Sequence, residues 1–577
     1  VLSGEGMSMM AYEQKMKQTD KSLAEAVKAN PHLARYLTSL RSKGIAQPAY
    51  YVQLSRDMRY MNNINILYPV GDPIFIHVYE RAKGERLYYQ VVEPTVPKEF
   101  NELLREVDKA LAALIGNEEV EDNESEKERI LLSKLNSLVI IDQSLPTWNY
   151  RVLKKSGIPI KIRINEETFS ALKYQLILHK VKLGLIEPFI RDPYIEDISC
   201  DGVGPIFIEH KVFGSCETSV VFESEDQLDE FVISLSERAM RPVTYRRPIV
   251  DGSLPDGSRI NIVFGSDISM RGSNFTIRKF ADIPISITQL IKWRTIDAIA
   301  SAYLWLMLES GMSVWFCGET ASGKTTLLRA TCVFIRPEAK IISIEDTPEI
   351  IVPHDNWVRE VTRQGEDAES SIELFDLLKA SLRQRPNYII VGEIRGKEAY
   401  VAFQAMQVGA PVITTFHAGS VQKLIQRLTG APIDIPKSYI DILNCAVIQS
   451  AVRLPSTGTL ERRVLSINEI VGYDSVEDRF DFIELFSWDP VSDTFIFRGE
   501  GSSHLLENKI AIMRGIPRRR VREIYKELEN RAIFLEKLVE KGVLDYFDVW
   551  KAVKVAWKVG VEGALKMVLR GEEIWKY

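Results

Sequence analysis

From Leu290 onward, short apolar runs alternate with longer helix-like segments. Val314-Trp315-Phe316, Ile341-Ile342-Ser343-Ile344, Tyr388-Ile389-Ile390-Val391 and Val412-Ile413-Thr414-Thr415-Phe416 are each too short for a helix and too continuous for a strand with one wet face. Such runs predict strands buried on both faces, and their alternation with helices predicts a parallel sheet covered on both sides. Upstream the pattern differs. Residues about 8–60 read as mostly helical and polar with breaks at Asn30-Pro31 and Gly44, and strands begin near Ile64. Ile74 to Tyr79 and Leu87 to Val92 flank a turn and predict a hairpin. Ile162 to Lys182 reads as helix, Asp192 to about Phe280 as strand-rich, and Pro284 with Ser286-Ile287-Thr288 as a linker. Amphipathic helices fill the chain from His504. The fold class is α/β, with expected boundaries at 1–60, 61–283, 284–503 and 504–577.

Composition narrows the function classes. The 577 residues carry a net charge of −6, which argues against a broad nucleic-acid surface. No apolar stretch spans a bilayer; the best, Ala298 to Leu308, is flanked by Asp297 and Glu309. There is no signal-peptide pattern at the start, so the expectation is a soluble cytoplasmic protein without direct membrane insertion. Five cysteines without a paired spacing predict free thiols and no zinc. The acidic run Glu118 to Glu128 reads as a solvated edge, and the basic run Arg514 to Arg522 as a solvated helix with Arg519 placed to pair with Glu523.

The chemistry starts at Gly318-Glu319-Thr320-Ala321-Ser322-Gly323-Lys324-Thr325, a complete Walker A sequence followed by Thr326. Between a strand and a helix, this turn aims successive backbone N–H groups at one point near the positive end of the helix dipole. Lys324 then reaches the β- and γ-phosphates, and the Thr325 hydroxyl serves Mg²⁺. The second run ends in Glu345-Asp346-Thr347-Pro348-Glu349, where a carboxylate can orient or deprotonate water. Glu345 and Glu349 are both candidates. The third run ends in Gly392-Glu393, the Walker B pattern, which places Glu393 beside Mg²⁺ and its bound water. The fourth ends at His417, an imidazole in position to meet the γ-phosphate or a catalytic carboxylate. These residues predict nucleoside triphosphate binding.

Together and in this order, across about residues 190–475, the motifs resemble the ATPases of type II and type IV secretion systems, especially the archaeal branch that powers archaella and type IV pili. Glu345 to Glu349 is similar to the family's aspartate box. Leu382 to Pro386 with Gly392 to Gly396 is similar to its Walker B segment, Gly409 to Ala418 to its histidine box, and Arg462 to Asp474 to a further family tract. The resemblance implies an N-terminal α/β domain joined to a RecA-like P-loop domain in a homohexameric ring. ATP and Mg²⁺ would be completed by N-terminal arginines, for which Arg259, Arg271 and Arg278 fall in the matching region. It also implies a polytopic membrane platform protein as partner and recruitment to the inner face of the membrane through the helices before Met61. Two departures stand out: Ala410-Pro411 follow Gly409 where a histidine is usual, and the paired-cysteine zinc motif is missing. A RecA-like nucleic-acid motor is the alternative. A GTPase switch is disfavoured because Asn508-Lys509-Ile510-Ala511 lacks the acid that reads guanine.

Overall fold

The computed structural model describes residues 23–576 except 43, 56–57, 60, 62, 83, 98–99, 116–123, 156–157, 280–282, 364–370 and 456–457. The helical expectation for residues before 23, and the acidic residues 118–123, lie outside the described residues. Two compact units divide the chain at residues 280 and 281.

The first unit is built on a ten-stranded sheet in which Gly214–Phe222, Gly204–His210, Ile195–Cys200, Asn274–Arg278, Arg259–Val263 and Ile249–Ser253 are successive neighbours. The expected hairpin is present in the same sheet as antiparallel Phe75–Tyr79 and Leu87–Val92. One sequence expectation fails here. The helix expected from Ile162 begins only at Glu166, because Ile158, Ile160, Ile162 and Ile164 alternate with other residues and form a strand. The Asn165 side chain then accepts from Thr168 N at 2.8 Å and caps the helix Glu166–Lys180. Where it is described, the 8–60 segment is mostly helical and broken at Asn30 and Gly44 as expected, and after the helix Pro31–Ser42, Ala49–Tyr50 joins the sheet edge. In the core of this unit, Asp192 is fully buried and takes hydrogen bonds from the Tyr68 and Tyr89 hydroxyls at 2.6 and 2.7 Å.

The second unit contains β1 (Val314–Gly318), β2 (Ile341–Glu345), β3 (Trp357–Val361), β4 (Tyr388–Ile394), β5 (Val412–Phe416), β6 (Cys445–Arg453), β7 (Leu460–Asp474), β8 (Arg479–Asp489) and β9 (Thr494–Phe497). They form one sheet in the order β3-β2-β4-β5-β1-β6-β7-β8-β9. Pairing is parallel from β3 to β6 and antiparallel from β6 to β9. Both faces are covered, as the runs predict. Phe316, Ile341, Ile390 and Val447 enter one core, while Trp315, Ile342, Ile389 and Val391 enter the other.

Three helices begin this unit: α1 (Ile287–Lys292), α2 (Ala298–Glu309) and α3 (Lys324–Thr331). The expected linker is thus partly α1, started by a capping box between Ser286 and Gln289. The apolar stretch from Ala298 is α2, buried all round in the core. No helix among the described residues is long and apolar enough to cross a membrane. α4 (Glu523–Glu540), α5 (Tyr546–Val559) and α6 (Val561–Leu569) share the first core with α2 and β1, so residues after 504 are part of this unit rather than an appendage. In the basic run, Arg520 pairs with Glu523, and Arg514 turns inward onto Glu309 and Glu527.

Candidate active site

Parallel pairing in the adjacent order β2-β4-β5-β1 lines up four strand carboxyl ends along one edge. The Walker A turn, Glu345, Glu393 and His417 sit there. Open parallel sheets bind ligands at this edge because loops leaving it are free to diverge around a crevice.

The turn after β1 is shaped by close approach. A Cβ on Gly318 would lie 2.1 Å from the Gln449 carbonyl oxygen, so only glycine fits. Ala321 holds a left-handed φ of 60°, and Gly323 leads into α3 at a φ of 93°. Lys324 is 7% exposed, and its Nζ donates to the Glu319 carbonyl at 2.8 Å. Burial lowers its pKa, opposed by the nearby Glu393 charge. The Ser322 hydroxyl is buried without a hydrogen-bond partner. A desolvated ammonium, an unpartnered hydroxyl and a bare glycine turn fit a phosphate chain, which would supply the missing charge and acceptors. Thr320 and Glu319 are exposed on the turn, and Thr325 and Thr326 are half-buried in the first turn of α3.

Three strand ends meet at Gly392. A Cβ there would stand 3.2 Å from Glu345 Cγ, so glycine lets the β2 carboxylate lie against β4. The Thr415 hydroxyl of β5 donates to the Gly392 carbonyl at 2.7 Å. Glu345 is 2% exposed. Its Oε1 accepts from the backbone N–H groups of Glu349 and Ile350, both at 2.8 Å, whereas Oε2 is buried and unpartnered. Burial pushes its pKa up to about 7 despite those two hydrogen bonds. The carboxylate box therefore places one acid, Glu345, inside the site with a free oxygen. Glu349 follows on a half-buried turn whose backbone serves Glu345.

Glu393 is held from two sides. Arg395 donates to its Oε2. His417 Nε2 stands 2.7 Å from Oε1 but out of line for a hydrogen bond, leaving that oxygen without an aligned donor. The His417 pKa is lowered, first by burial and then by the Lys324 charge, which keeps the ring neutral near pH 7. Arg427 donates to the His417 carbonyl and lies over the Phe416 ring at 4.9 Å, fixing the start of that loop. The residues expected to serve Mg²⁺, Thr325 and Glu393, are suited to it. A hydroxyl next to Lys324 and a carboxylate oxygen with no aligned donor are both hard oxygen ligands.

Lys324, Glu345, Glu393 and His417 thus belong to one edge of one unit. Arg259, Arg271 and Arg278 belong to the first unit, where all three are exposed. Arg259 and Arg278 face each other on adjacent strands, and Arg278 pairs with Asp197 at 3.1 Å. Sequence reasoning gave no role to Arg395, Gln449 or Arg462. Arg395 was legible as a cation two residues after the Walker B acid. Arg462 and Ala321 are 141 residues apart and meet only in the folded sheet. A cavity of about 660 Å³ in the same unit, lined among others by Trp305, Glu309, Glu527 and Arg531, contains none of the motif residues. Its Arg531 is neutralised by Glu309 and Glu527.

Residues 179–455 match the family described as Type II/IV secretion system protein. Over 548 residues the chain is 44% identical to Uncharacterized protein MJ0900 of Methanocaldococcus jannaschii, covering 94% of this chain and 98% of that one. It is 26% identical to Protein VirB11 of Rhizobium radiobacter over 301 residues, covering 46% of this chain and 87% of that protein. Among solved structures, the ATPase DotB of Legionella pneumophila is similar over 67% of this chain and 94% of its own at 18% identity and a TM-score of 0.36, a likeness too loose to weigh.

Proposed function

The chain belongs to the type II/IV secretion system ATPase family, and we propose that it is a Mg²⁺-dependent ATP-hydrolysing motor. In this reading it works as a homohexamer that assembles or rotates an archaellum-like or type IV pilus-like filament through a polytopic membrane platform protein. The observation that carries the proposal is the meeting of a desolvated Lys324, a buried acid with a free oxygen and a Walker B carboxylate along one sheet edge.

The backbone from Gly318 to Thr326 cradles the phosphates, and Lys324 neutralises them. Mg²⁺ held near Thr325 and Glu393 would contribute further charge neutralisation. Glu345 Oε2 takes a proton from the attacking water, because a carboxyl whose pKa lies near 7 both accepts and releases protons at neutral pH. Neutral His417 positions Glu393 and the terminal phosphate without adding a competing cation. Arg395 and Arg427, the cations beside Glu393 and His417, are engaged by them. The family resemblance makes Arg259, Arg271 and Arg278 the candidate cations that meet charge developing on the γ-phosphate within the ring, Arg278 having first to leave Asp197.

The decisive experiment pairs two variants. Lys324→Ala abolishes tight ATP binding, whereas Glu393→Gln binds ATP but turns it over at least about a hundredfold more slowly. Normal affinity in the first, or normal turnover in the second, removes the basis of the reading. Ring action is tested by mixing Arg271→Ala with Lys324→Ala subunits, which gives non-additive inhibition; a concentration-independent monomeric ATPase refutes it. For docking at the inner face of the membrane we favour the N-terminal helices. Deleting everything before Met61 is a poor probe, because Leu33 and Tyr50 pack with Leu67 and Phe75. Reversing the exposed charges Lys28 and Arg41 instead spares ATP hydrolysis and abolishes co-purification with the platform protein; retained co-purification moves the docking site elsewhere.

A further inference from the structure

The phosphate-binding turn rests on two residues that lie outside its own motif and come from the antiparallel half of the sheet. β6 runs beside β1 and β7 beside β6, with Gln449 opposite Val464 and Ala451 opposite Arg462. Gln449 is 2% exposed, and its Nε2 would lie 3.0 Å from a Cβ on Gly323. Arg462 packs on the same glycine, its Cδ 3.1 Å from that Cβ position, and its Nε donates to the Ala321 carbonyl at 3.1 Å. Ala321 is the residue of the turn that carries a Cβ in left-handed backbone, a conformation costing roughly 1 kcal/mol that an outside contact must hold. Arg395 is engaged by a carboxylate, but Arg462 makes no ion pair among the described residues, and its Nη1 and Nη2 have no acceptor there. An exposed arginine anchored to a phosphate-binding turn through Nε alone keeps both Nη nitrogens for something that is not protein.

We propose that Arg462 is a nucleotide-positioning residue acting within its own subunit: it locks the Ala321 peptide, and its two remaining nitrogens take oxygens of a bound nucleoside diphosphate or triphosphate. The inference rests on the ATP reading of the Walker A turn. It differs from the role given to the first unit's arginines, which act on the γ-phosphate and depend on assembly. Because Lys324 and Glu393 already serve the terminal phosphate, Arg462 contributes to ADP and ATP binding alike and does not depend on protein concentration.

The test measures equilibrium binding of ADP and of a non-hydrolysable ATP analogue, with steady-state kcat and KM, for Arg462→Ala, Arg462→Lys and Lys324→Ala in the full chain. Arg462→Ala weakens both nucleotides about tenfold, as expected for one exposed charge-assisted contact, and raises KM by a similar factor with kcat within about threefold. Arg462→Lys recovers part of the affinity because an ammonium can still reach the Ala321 carbonyl. If Arg462→Ala does not fold, Arg462→Lys is read the same way, with a smaller loss of the same pattern. Unchanged affinity in the Arg462 variants while Lys324→Ala abolishes binding overturns the proposal. So does a loss confined to kcat, or a lowered melting temperature with binding intact. Unchanged affinity in all three variants overturns the nucleotide site itself.

Discussion

Replacing Glu345 by glutamine isolates the most perturbed acid of the site. Its carboxyl is 2% exposed, and burial raises its pKa from 4.5 to about 7. A displacement of that size corresponds to about 3 kcal/mol. The folded value lies above the unfolded one, so the protonated form favours folding. That contribution is complete below about pH 4.5 and is lost as pH rises through 7. Glutamine keeps an oxygen for the Glu349 and Ile350 N–H groups and never ionises. The variant's stability advantage over wild type therefore opens between pH 4.5 and 7 and levels off above it. In a unit of this size, about 3 kcal/mol amounts to roughly 5 °C in melting temperature. Calorimetry of nucleotide-free wild type and Glu345→Gln from about pH 5 to 8.5 reads the gap directly. The same variant retains ATP binding and loses at least about a hundredfold in kcat, the usual worth of a positioned base. Melting curves that run parallel across this pH range refute the raised pKa. Near-normal kcat shifts the proton transfer to Glu349 or Glu393.

Three further perturbations probe other contacts of the fold and the site. Gly392→Ala puts a Cβ 3.2 Å from Glu345 Cγ, so kcat falls about tenfold with KM unchanged; wild-type kinetics would mean that the β2–β4 contact is slack. Removing residues 504–577 strips Leu528, Phe534, Leu535, Leu538, Val549 and Val553 from the ATPase core. At about 2 kcal/mol each, this loss is of the order of a domain's entire stability, so the truncated chain is insoluble; a soluble product with a cooperative melt counts against the shared core. Asp192→Ala removes the acceptor that the Tyr68 and Tyr89 hydroxyls share, leaving Tyr68 only His210 Nε2 at 3.1 Å, and costs the first unit about 2–4 kcal/mol in urea unfolding, a loss that Tyr68→Phe with Tyr89→Phe in the same background partly recovers.

Local chemistry made the ATPase half legible. The runs at Val314, Ile341, Tyr388 and Val412 read as doubly buried strands, and Gly318 to Thr325 as a glycine-rich turn from the first of them into a helix, which is where the structure places them. The misreadings came where two local signals competed. Ile158 to Ile164 carries a period of two that a following helix masked. Ser286-x-x-Gln289 reads as polar linker unless its capping box is noticed.

What the sequence by itself determined is the set of groups whose roles are local: the Walker A turn, the acids at strand ends, His417 after β5, and the parallel sheet that carries them. Hydrophobic period and backbone sterics act over a few residues, so they are written in adjacent letters. What only the tertiary structure decided is which groups share space. Sheet order placed Glu345 against Gly392, left its Oε2 unpartnered in a buried site, and brought Arg462 across 141 residues onto the Ala321 carbonyl. It also folded the C-terminal helices into the ATPase core. Desolvation and close contact arise from elements distant in the chain, so the acid whose pKa nears 7 and the arginine that holds the turn emerge only once the strands are side by side.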